Sequence, residues 1–275
     1  MKTLITGSDG YIGKHLMKML AGTKYWKGTT EFIGNVTDPK AYKDLEPYYD
    51  NIIHLAAFVR VNESVNEPTM YYINNIMGTH ELLTSVSFSN FIFASTGTAS
   101  DPVNPYAYSK RVSEDIVADI SKKRGANYTT FRFFNVTGSD GFPPSNPDGL
   151  LFNLIQATKH GKFYLYGNNY DTKDGTCVRD YIHVNEVCEA IIEAIELPAN
   201  KIENLGSGIG YTVKEIIDTF KRVNNVDFEV IMEPRRPGDL ERLVSLPSKA
   251  SNYYTQSYTL DELMKVDLEA LTWRT

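Results

Sequence analysis

Lys2-Thr3-Leu4-Ile5-Thr6-Gly7-Ser8-Asp9-Gly10-Tyr11-Ile12-Gly13 carries a short apolar run into a glycine, and glycine then returns every third residue. Ile12, Leu16, Met19 and Leu20 follow at helical spacing. The pattern is strand, glycine turn, amphipathic helix. Glycines let the backbone approach a ligand, and a helix N-terminus adds free N–H groups and the positive end of its dipole. A glycine triplet alone could mark a plain tight turn. The strand before it and the helix after it decide for a pyrophosphate site, and so for dinucleotide binding.

A dinucleotide fold expects a second strand ending in an acid, about twenty residues past the glycines, for the adenosine ribose. Ala21 to Thr30 holds no Asp or Glu, and Lys24 and Lys27 are its only charges. Residues 31–38 have the pattern of a strand, with Glu31 ahead of it and Pro39 opening a helix. The two lysines fit either a 2′-phosphate or a solvated loop, so NAD against NADP stays open. Asn51 to Ala57 reads as a buried strand ending in small residues, with His54 a core histidine. A helix is expected over Met70–Phe88, packing through Ile73, Ile76, Met77 and Leu83, with Asn74 and Asn75 available to bridge backbone groups.

Asn90 to Ala94 is another buried run, ended by Ser95 and Thr96. Beyond it, Tyr106-Ala107-Tyr108-Ser109-Lys110 sets a phenol and an ammonium four residues apart, on one helix face. Val112, Ile116, Val117 and Ile120 continue that helix as an apolar stripe. A hydroxyl at a strand end, beside a phenol and a cation, is suited to taking a proton from an alcohol. Tyr128–Asn135 is expected as a further strand whose C-terminal edge, at Asn135, faces ligand.

After Asn135 the composition shifts to Gly, Pro, Ser and Asp over Gly138–Gly149, a long loop of the kind that is usually functional. A helix (Leu150–Lys159), a strand (Phe163–Tyr166), helices at Glu186–Leu197 and Val213–Val223 and a strand at Phe228–Met232 follow. Arg235 and Arg236 fall on a turn, where a guanidinium fork suits phosphate oxygens. The fold class is α/β: a Rossmann-type doubly wound parallel sheet with a smaller C-terminal substrate-binding lobe. We expect the dinucleotide domain over 1–137 with parts of 176–210, and the lobe over 138–175 and 211–275.

Composition narrows the function classes. The 42% hydrophobic and 23% charged fractions are those of an ordinary soluble protein. A formal net charge of −6 argues against nucleic-acid binding, and no apolar run is long enough to span a bilayer. Cys177 and Cys188 make neither a disulfide framework nor a zinc site, and the five histidines are scattered. The N-terminus enters a strand at once, without a visible secretory signal, so a cytoplasmic protein without metal is expected.

Several strings together are specific. TGSDGYIG at 6–13, NNIMGT at 74–79, FIFAST at 91–96, YAYSK at 106–110, RFFN at 132–135, DGTCVRDYIHV at 174–184, NLGSGIGYTV at 204–213 and PRRPGD at 234–239 span nearly the whole chain. On them the chain resembles the extended short-chain dehydrogenases/reductases, and within these the UDP-glucose (UDP-galactose) 4-epimerases. The resemblance implies an NAD-dependent isomerase that moves a hydride transiently through a 4-keto sugar. It makes Tyr106 the acid/base, and Lys110 the group that holds the nicotinamide ribose and lowers the tyrosine pKa. Thr96 becomes the partner of the sugar hydroxyl. Cofactor contacts would come from Gly7, Gly10, Tyr11, Ile12, Gly13, Val36, Leu55, Ala56, Ala57, Asn75, Lys110 and Phe134. Substrate contacts would come from Asn135, Tyr166 (beside uracil), Arg179 and Arg236 (on the diphosphate) and Asp239 (toward ribose). A homodimer, paired through helices including the Tyr106 helix, is also implied.

The chain departs from that family in identifiable places. The stretch after the first helix is shortened and the ribose-binding acid is missing; Asn35 replaces an Asp beside adenine; Ala94 replaces a serine; Val59 replaces a cofactor-contacting lysine. The segment between Thr96 and Tyr106 is abbreviated, and Leu243 stands where a tyrosine covers the sugar. A 4,6-dehydratase would need an acid pair after Thr96, where Gly97-Thr98 stand. A decarboxylase, or a 4-keto reductase using exchangeable NADPH, shares the Tyr/Lys pair and stays open. A catalytically silent nucleotide-binding relative typically loses that pair, which is retained here.

Overall fold

The computed structural model describes residues 1–236, 239–246 and 258–268. The chain divides into two compact units: Met1–Phe133 with Cys188–Asn204, and Phe134–Val187 with the described residues from Leu205 onward. The first runs β1 (Thr3–Thr6), α1 (Tyr11–Leu20), β2 (Thr29–Phe32), β3 (Tyr48–His54), α2 (Val61–Asn66), α3 (Pro68–Tyr71), a π-helical turn (Tyr72–Met77), α4 (Gly78–Ser85), β4 (Ser87–Thr96), α5 (Pro105–Arg124) and β5 (Asn127–Phe133). There follow β6 (Asn135–Thr137), α6 (Leu150–His160), β7 (Lys162–Tyr166), β8 (Val178–His183), α7 (Val184–Glu196) and β9 (Asn200–Leu205). The chain then runs through β10 (Gly210–Thr212), α8 (Val213–Asn224), β11 (Glu229–Glu233), β12 (Arg242–Leu243) and α9 (Leu260–Met264).

The first unit is a Rossmann-like layer. Its six-stranded sheet has the order β2-β1-β3-β4-β5-β9. β1 pairs in parallel with β2 and β3, as do β3 with β4 and β4 with β5. The winding reverses between β1 and β3, and past the strand C-termini at such a reversal is where doubly wound sheets form their ligand crevice. Leu4, Phe32, Ile52, Leu82, Phe91 and Val117 belong to its core. The second unit packs Leu154, Phe163, Ile216, Phe220 and Phe228 together. In it β8 pairs with β6, β10 and β12, and β7 pairs in parallel with β11. Among the described residues no helix is long and apolar enough to cross a membrane.

Several boundaries differ from the sequence reading. β2 occupies Thr29–Phe32 and not residues 31–38, because the Asn35 side-chain oxygen accepts from the Thr37 N–H (3.0 Å) and hydroxyl (2.9 Å), a local turn that competes with extension. Pro39 opens a single 3-10 turn, not a longer helix. β3 starts earlier than Asn51 and ends at His54, leaving Leu55–Ala57 beyond the strand. The helix expected over 70–88 begins at Pro68 and stops at Ser85, where Val86 becomes extended. Its π-helical turn changes which side faces inward: Ile73 and Met77 are exposed, whereas Leu83 is buried. The strand expected over 128–135 breaks at Phe134, and Asn135 instead begins β6. On α5 the inward face is Ala107, Ser109, Lys110, Ser113, Glu114, Val117 and Ser121; Val112, Ile116 and Ile120 are only half-buried.

At the opposite end of the sheet from the crevice, polar residues line up in the core. Thr3 pairs with Asn51 and Asn51 with Asn90. The Asn90 amide donates to the Asn51 side-chain oxygen (3.0 Å) and to the Ala194 carbonyl (3.0 Å). Two strands and the helix covering them are thereby tied by one NH2 group. Asn90→Leu leaves both acceptors without that donor in a dry site, and is expected to lower unfolding stability by about 2 kcal/mol, read from the shift in the urea midpoint.

Candidate active site

Gly7 has φ +70, and a Cβ there would lie 2.7 Å from the Ala56 nitrogen; a Cβ at Gly13 would run into the Gly7 carbonyl oxygen. The Gly10 N–H donates to that carbonyl (3.1 Å), and no side chain caps the start of α1. The turn and the start of α1 form a cradle that side chains at Gly7 and Gly13 would fill. Beside it the Thr6 hydroxyl accepts from the Ala56 N–H (3.2 Å), and the Leu55 N–H donates to the Thr6 carbonyl (3.2 Å). His54 is a core histidine, as its apolar surroundings predict. Its Nδ1 bonds Thr6 (2.6 Å), its Nε2 bonds Thr79 (3.0 Å), and its ring stacks on Phe93. Burial, together with the Lys110 charge, pushes its pKa down to about 3, so the imidazole is neutral.

Asn75 acts as a clamp, as the sequence allows. Its oxygen accepts from the Phe58 N–H (2.9 Å), and its amide donates to the Phe58 carbonyl (3.0 Å) and the Ser109 hydroxyl (2.9 Å). Asn74 only supports it, donating to the Asn75 oxygen. The clamp fixes the loop after β3 against α5. Val36, also expected beside the cofactor, is buried, and its methyl fills the space a Cβ on Gly78 would need.

Thr96, Tyr106 and Lys110 converge on the end of β4. The Thr96 hydroxyl is hydrogen-bonded to the Thr98 hydroxyl (3.1 Å), and the Tyr106 phenol lies near enough to Thr96 to be influenced by it. Tyr106 meets Tyr71 edge-on at 6.4 Å. Lys110 is buried; its ammonium donates to the Ala94 carbonyl (2.7 Å) and lies 4.6 Å from the Phe93 ring centre. Asn104 caps the helix by accepting from the Ala107 N–H (2.9 Å), and Pro105 supplies its first turn. The electrostatics differ from the expected lowering of the phenol. Burial pushes Tyr106 up to about 12, opposed by the Thr96 hydroxyl, and pushes Lys110 down to about 7, opposed by Glu114. Burial dominates at the phenol, and the Lys110 ammonium is aimed at the Ala94 carbonyl.

Sequence reading missed the support beneath these groups. Glu114, one turn past Lys110, is fully buried and accepts from Arg132 Nε (2.9 Å), Arg132 Nη2 (2.6 Å) and the Ser95 hydroxyl (2.5 Å). The signal was a glutamate four residues after Lys110 on one helix face.

In the second unit Arg179 pairs with Asp239 (2.5 Å), and the Arg236 guanidinium stacks on Tyr166 (3.9 Å). The Asn135 amide donates to the Asp180 carbonyl (2.8 Å), and Phe134 packs at Gly206. Asp180, also missed, accepts from the Ser207 N–H and hydroxyl, the Gly208 N–H and the Ser245 N–H at 2.5–3.0 Å. It pins two loops beside Arg179. Pro237 and Gly238 of the expected turn lie outside the described residues. No three His, Cys, Asp or Glu side chains among the described residues are grouped to hold a metal ion.

Residues 3–206 match the profile of the NAD dependent epimerase/dehydratase family. The chain belongs to that family. A UDP-glucose 4-epimerase of Lactobacillus helveticus is 34% identical, over 91% of this chain and 90% of its own length. A probable UDP-arabinose 4-epimerase of Oryza sativa subsp. japonica is 32% identical, over 98% and 79%. Among solved structures, UDP-glucose 4-epimerase from Brucella ovis in complex with NAD superposes with a TM-score of 0.85 at 29% identity, covering 96% of each chain. The glycine turn and α1, and the residues from Thr96 to Lys110, all lie within the matched residues. Glu114→Gln leaves Arg132 without its counter-charge and is expected to cost about 3 kcal/mol of stability, read by chemical denaturation.

Proposed function

We propose that the protein is an NAD-dependent nucleotide-sugar 4-epimerase, an isomerase that interconverts UDP-glucose and UDP-galactose in cytoplasmic carbohydrate metabolism. The convergence of Thr96, Tyr106 and Lys110 on one strand end carries this reading. The first unit takes the dinucleotide, through Gly7, Gly10, Tyr11, Ile12, Gly13, Val36, Leu55, Ala56, Ala57, Asn75 and Lys110, with Phe134 of the second unit added. The second unit takes the nucleotide sugar: Arg179 and Arg236 the diphosphate, Tyr166 the uracil, Asp239 the ribose, and Asn135 the sugar side. Two free, buried cysteines accord with a reducing compartment.

NAD held at the glycine turn would supply a reversible hydride acceptor for the sugar C4 position. Thr96 holds the 4-hydroxyl, and Tyr106 takes its proton and later gives it back. Burial pushes the Tyr106 phenol up to about 12 and the Lys110 ammonium down to about 7, so with Lys110 neutral a proton moved from Tyr106 to Lys110 gives phenolate and ammonium with no change of net charge.

The rate should therefore rise through about pH 7, as the first proton leaves the pair, and hold into the alkaline range. A kcat/KM profile flat from acid to alkaline pH would contradict this assignment. Tyr106→Phe should cost about 10²–10⁴-fold in kcat with UDP-galactose and catalytic NAD. Turnover only with stoichiometric NADPH would identify a reductase instead.

A homodimer belongs to the same proposal. Tyr72, Ile73 and Met77 on the π-helical turn and Tyr108 on α5 are exposed together, with the Tyr72 and Tyr108 rings 6.2 Å apart. Such a patch marks an association surface. Met77→Glu should convert a dimer to a monomer in light scattering.

A further inference from the structure

The sheet ends early on the side that would carry the adenosine. Among the described residues β2 is the only strand beyond β1, it has four residues, and the return to β3 contains a single 3-10 turn. In a doubly wound dinucleotide fold the ribose 2′-position is read there, by a carboxylate for NAD or by an arginine for a 2′-phosphate. Here neither charge is in place.

Glu31 lies within the strand, paired with Ile5, and does not reach its end. Past it come Phe32, buried against Tyr42, then Ile33, 84% exposed, and Gly34. Asn35 spends its side-chain oxygen on Thr37, and Asp38 caps the next turn by accepting from the Lys40 N–H (2.9 Å). The lysines that the sequence offered for a 2′-phosphate are at the other end of the sheet. Lys24 pairs with Glu196 (3.5 Å), which also accepts from the Tyr25 hydroxyl (2.5 Å). Lys27 precedes Thr29, the partner of Thr3 at the start of β1, whereas the glycine turn follows the end of β1 at Thr6.

We propose that the end of β2 does not discriminate at the ribose 2′-position, so that the protein binds NAD and NADP with similar affinity, through the pyrophosphate cradle and the residues at the end of β4. This rests on reading the glycine turn as the dinucleotide site, not on the epimerase reaction. A charged hydrogen-bond partner is worth roughly ten- to a hundredfold in affinity, and that factor is missing from the choice between the two cofactors.

The test is equilibrium binding to the nucleotide-stripped full chain, titrated separately with NAD⁺ and NADP⁺ by calorimetry. Dissociation constants within about tenfold of each other support the proposal; a wider preference for either cofactor overturns it. Ile33→Asp, at an exposed position, should weaken NADP⁺ at least tenfold more than NAD⁺; no change in the ratio means that the 2′-position is read elsewhere and overturns it. Glu31→Gln should leave both constants unchanged, and loss of NAD⁺ affinity would identify the discriminating acid and overturn it. Binding of neither dinucleotide would sink the cofactor reading itself. Equal binding without epimerase activity would leave this inference standing and remove only the proposed reaction.

Discussion

A cation is buried at the ligand edge of a parallel sheet, and much of the first unit is arranged around that cost. The Lys110 ammonium is removed from water, which favours its neutral form. Three neighbours offset this: the Ala94 carbonyl, the Phe93 ring face and the Glu114 carboxylate. Two of them come from β4, so the strand whose end supplies Thr96 also holds the lysine. Small side chains elsewhere on α5 serve the same end. Ser109 and Ser113 let the helix approach the π-helical turn and bond Asn75, whose carbonyl accepts from Ser113. A helix with a wide apolar stripe would bury more hydrocarbon but would leave the clamp on Phe58 without its second anchor.

How much of this could be read from residues alone varied with the range of the forces involved. The glycine turn and α1 were legible because backbone approach and helical periodicity are local. The Tyr106/Lys110 pair was legible because four-residue spacing fixes a shared face. The break at Phe134 was not: Tyr128–Asn135 is uniformly strand-like, and only the pairing of β6 with β8, far along the chain, ends the run. The exposure of Ile73 and Met77 was equally hidden, since one π-helical turn alters the phase of the helix without a marker in composition. The Tyr106 shift had the opposite sign from expectation. Spacing shows that a cation is near but not where its hydrogen bond goes, and here it goes to a carbonyl.

Glu114 and Arg132 show why the support of a site is harder to see than the site. A buried bidentate pair is close to neutral in its effect on folding, since desolvation of both charges consumes most of their attraction. Its value lies in position. One carboxylate joins α5 to β5 through Arg132 and to β4 through Ser95, and Lys110 lies one turn before it on α5. Replacing the pair by hydrocarbon of equal volume would remove both ties even where stability is kept.

The same logic bears on the proton of Tyr106. Burial shifts both groups toward their neutral forms, so near neutral pH the phenol keeps its proton, amine and ammonium of Lys110 are comparably populated, and the phenolate is the minor state. A minor reactive state lowers the rate by its population, unless binding raises it. A ribose diol in place of the Ala94 carbonyl would keep the ammonium bonded while turning it from the strand toward the phenol. A sugar hydroxyl on Thr96 would likewise compete with Thr98 as that residue's partner. The strand backbone holds the ammonium here, so a ligand that took over that hydrogen bond would bring the cation toward the phenol and favour the phenolate.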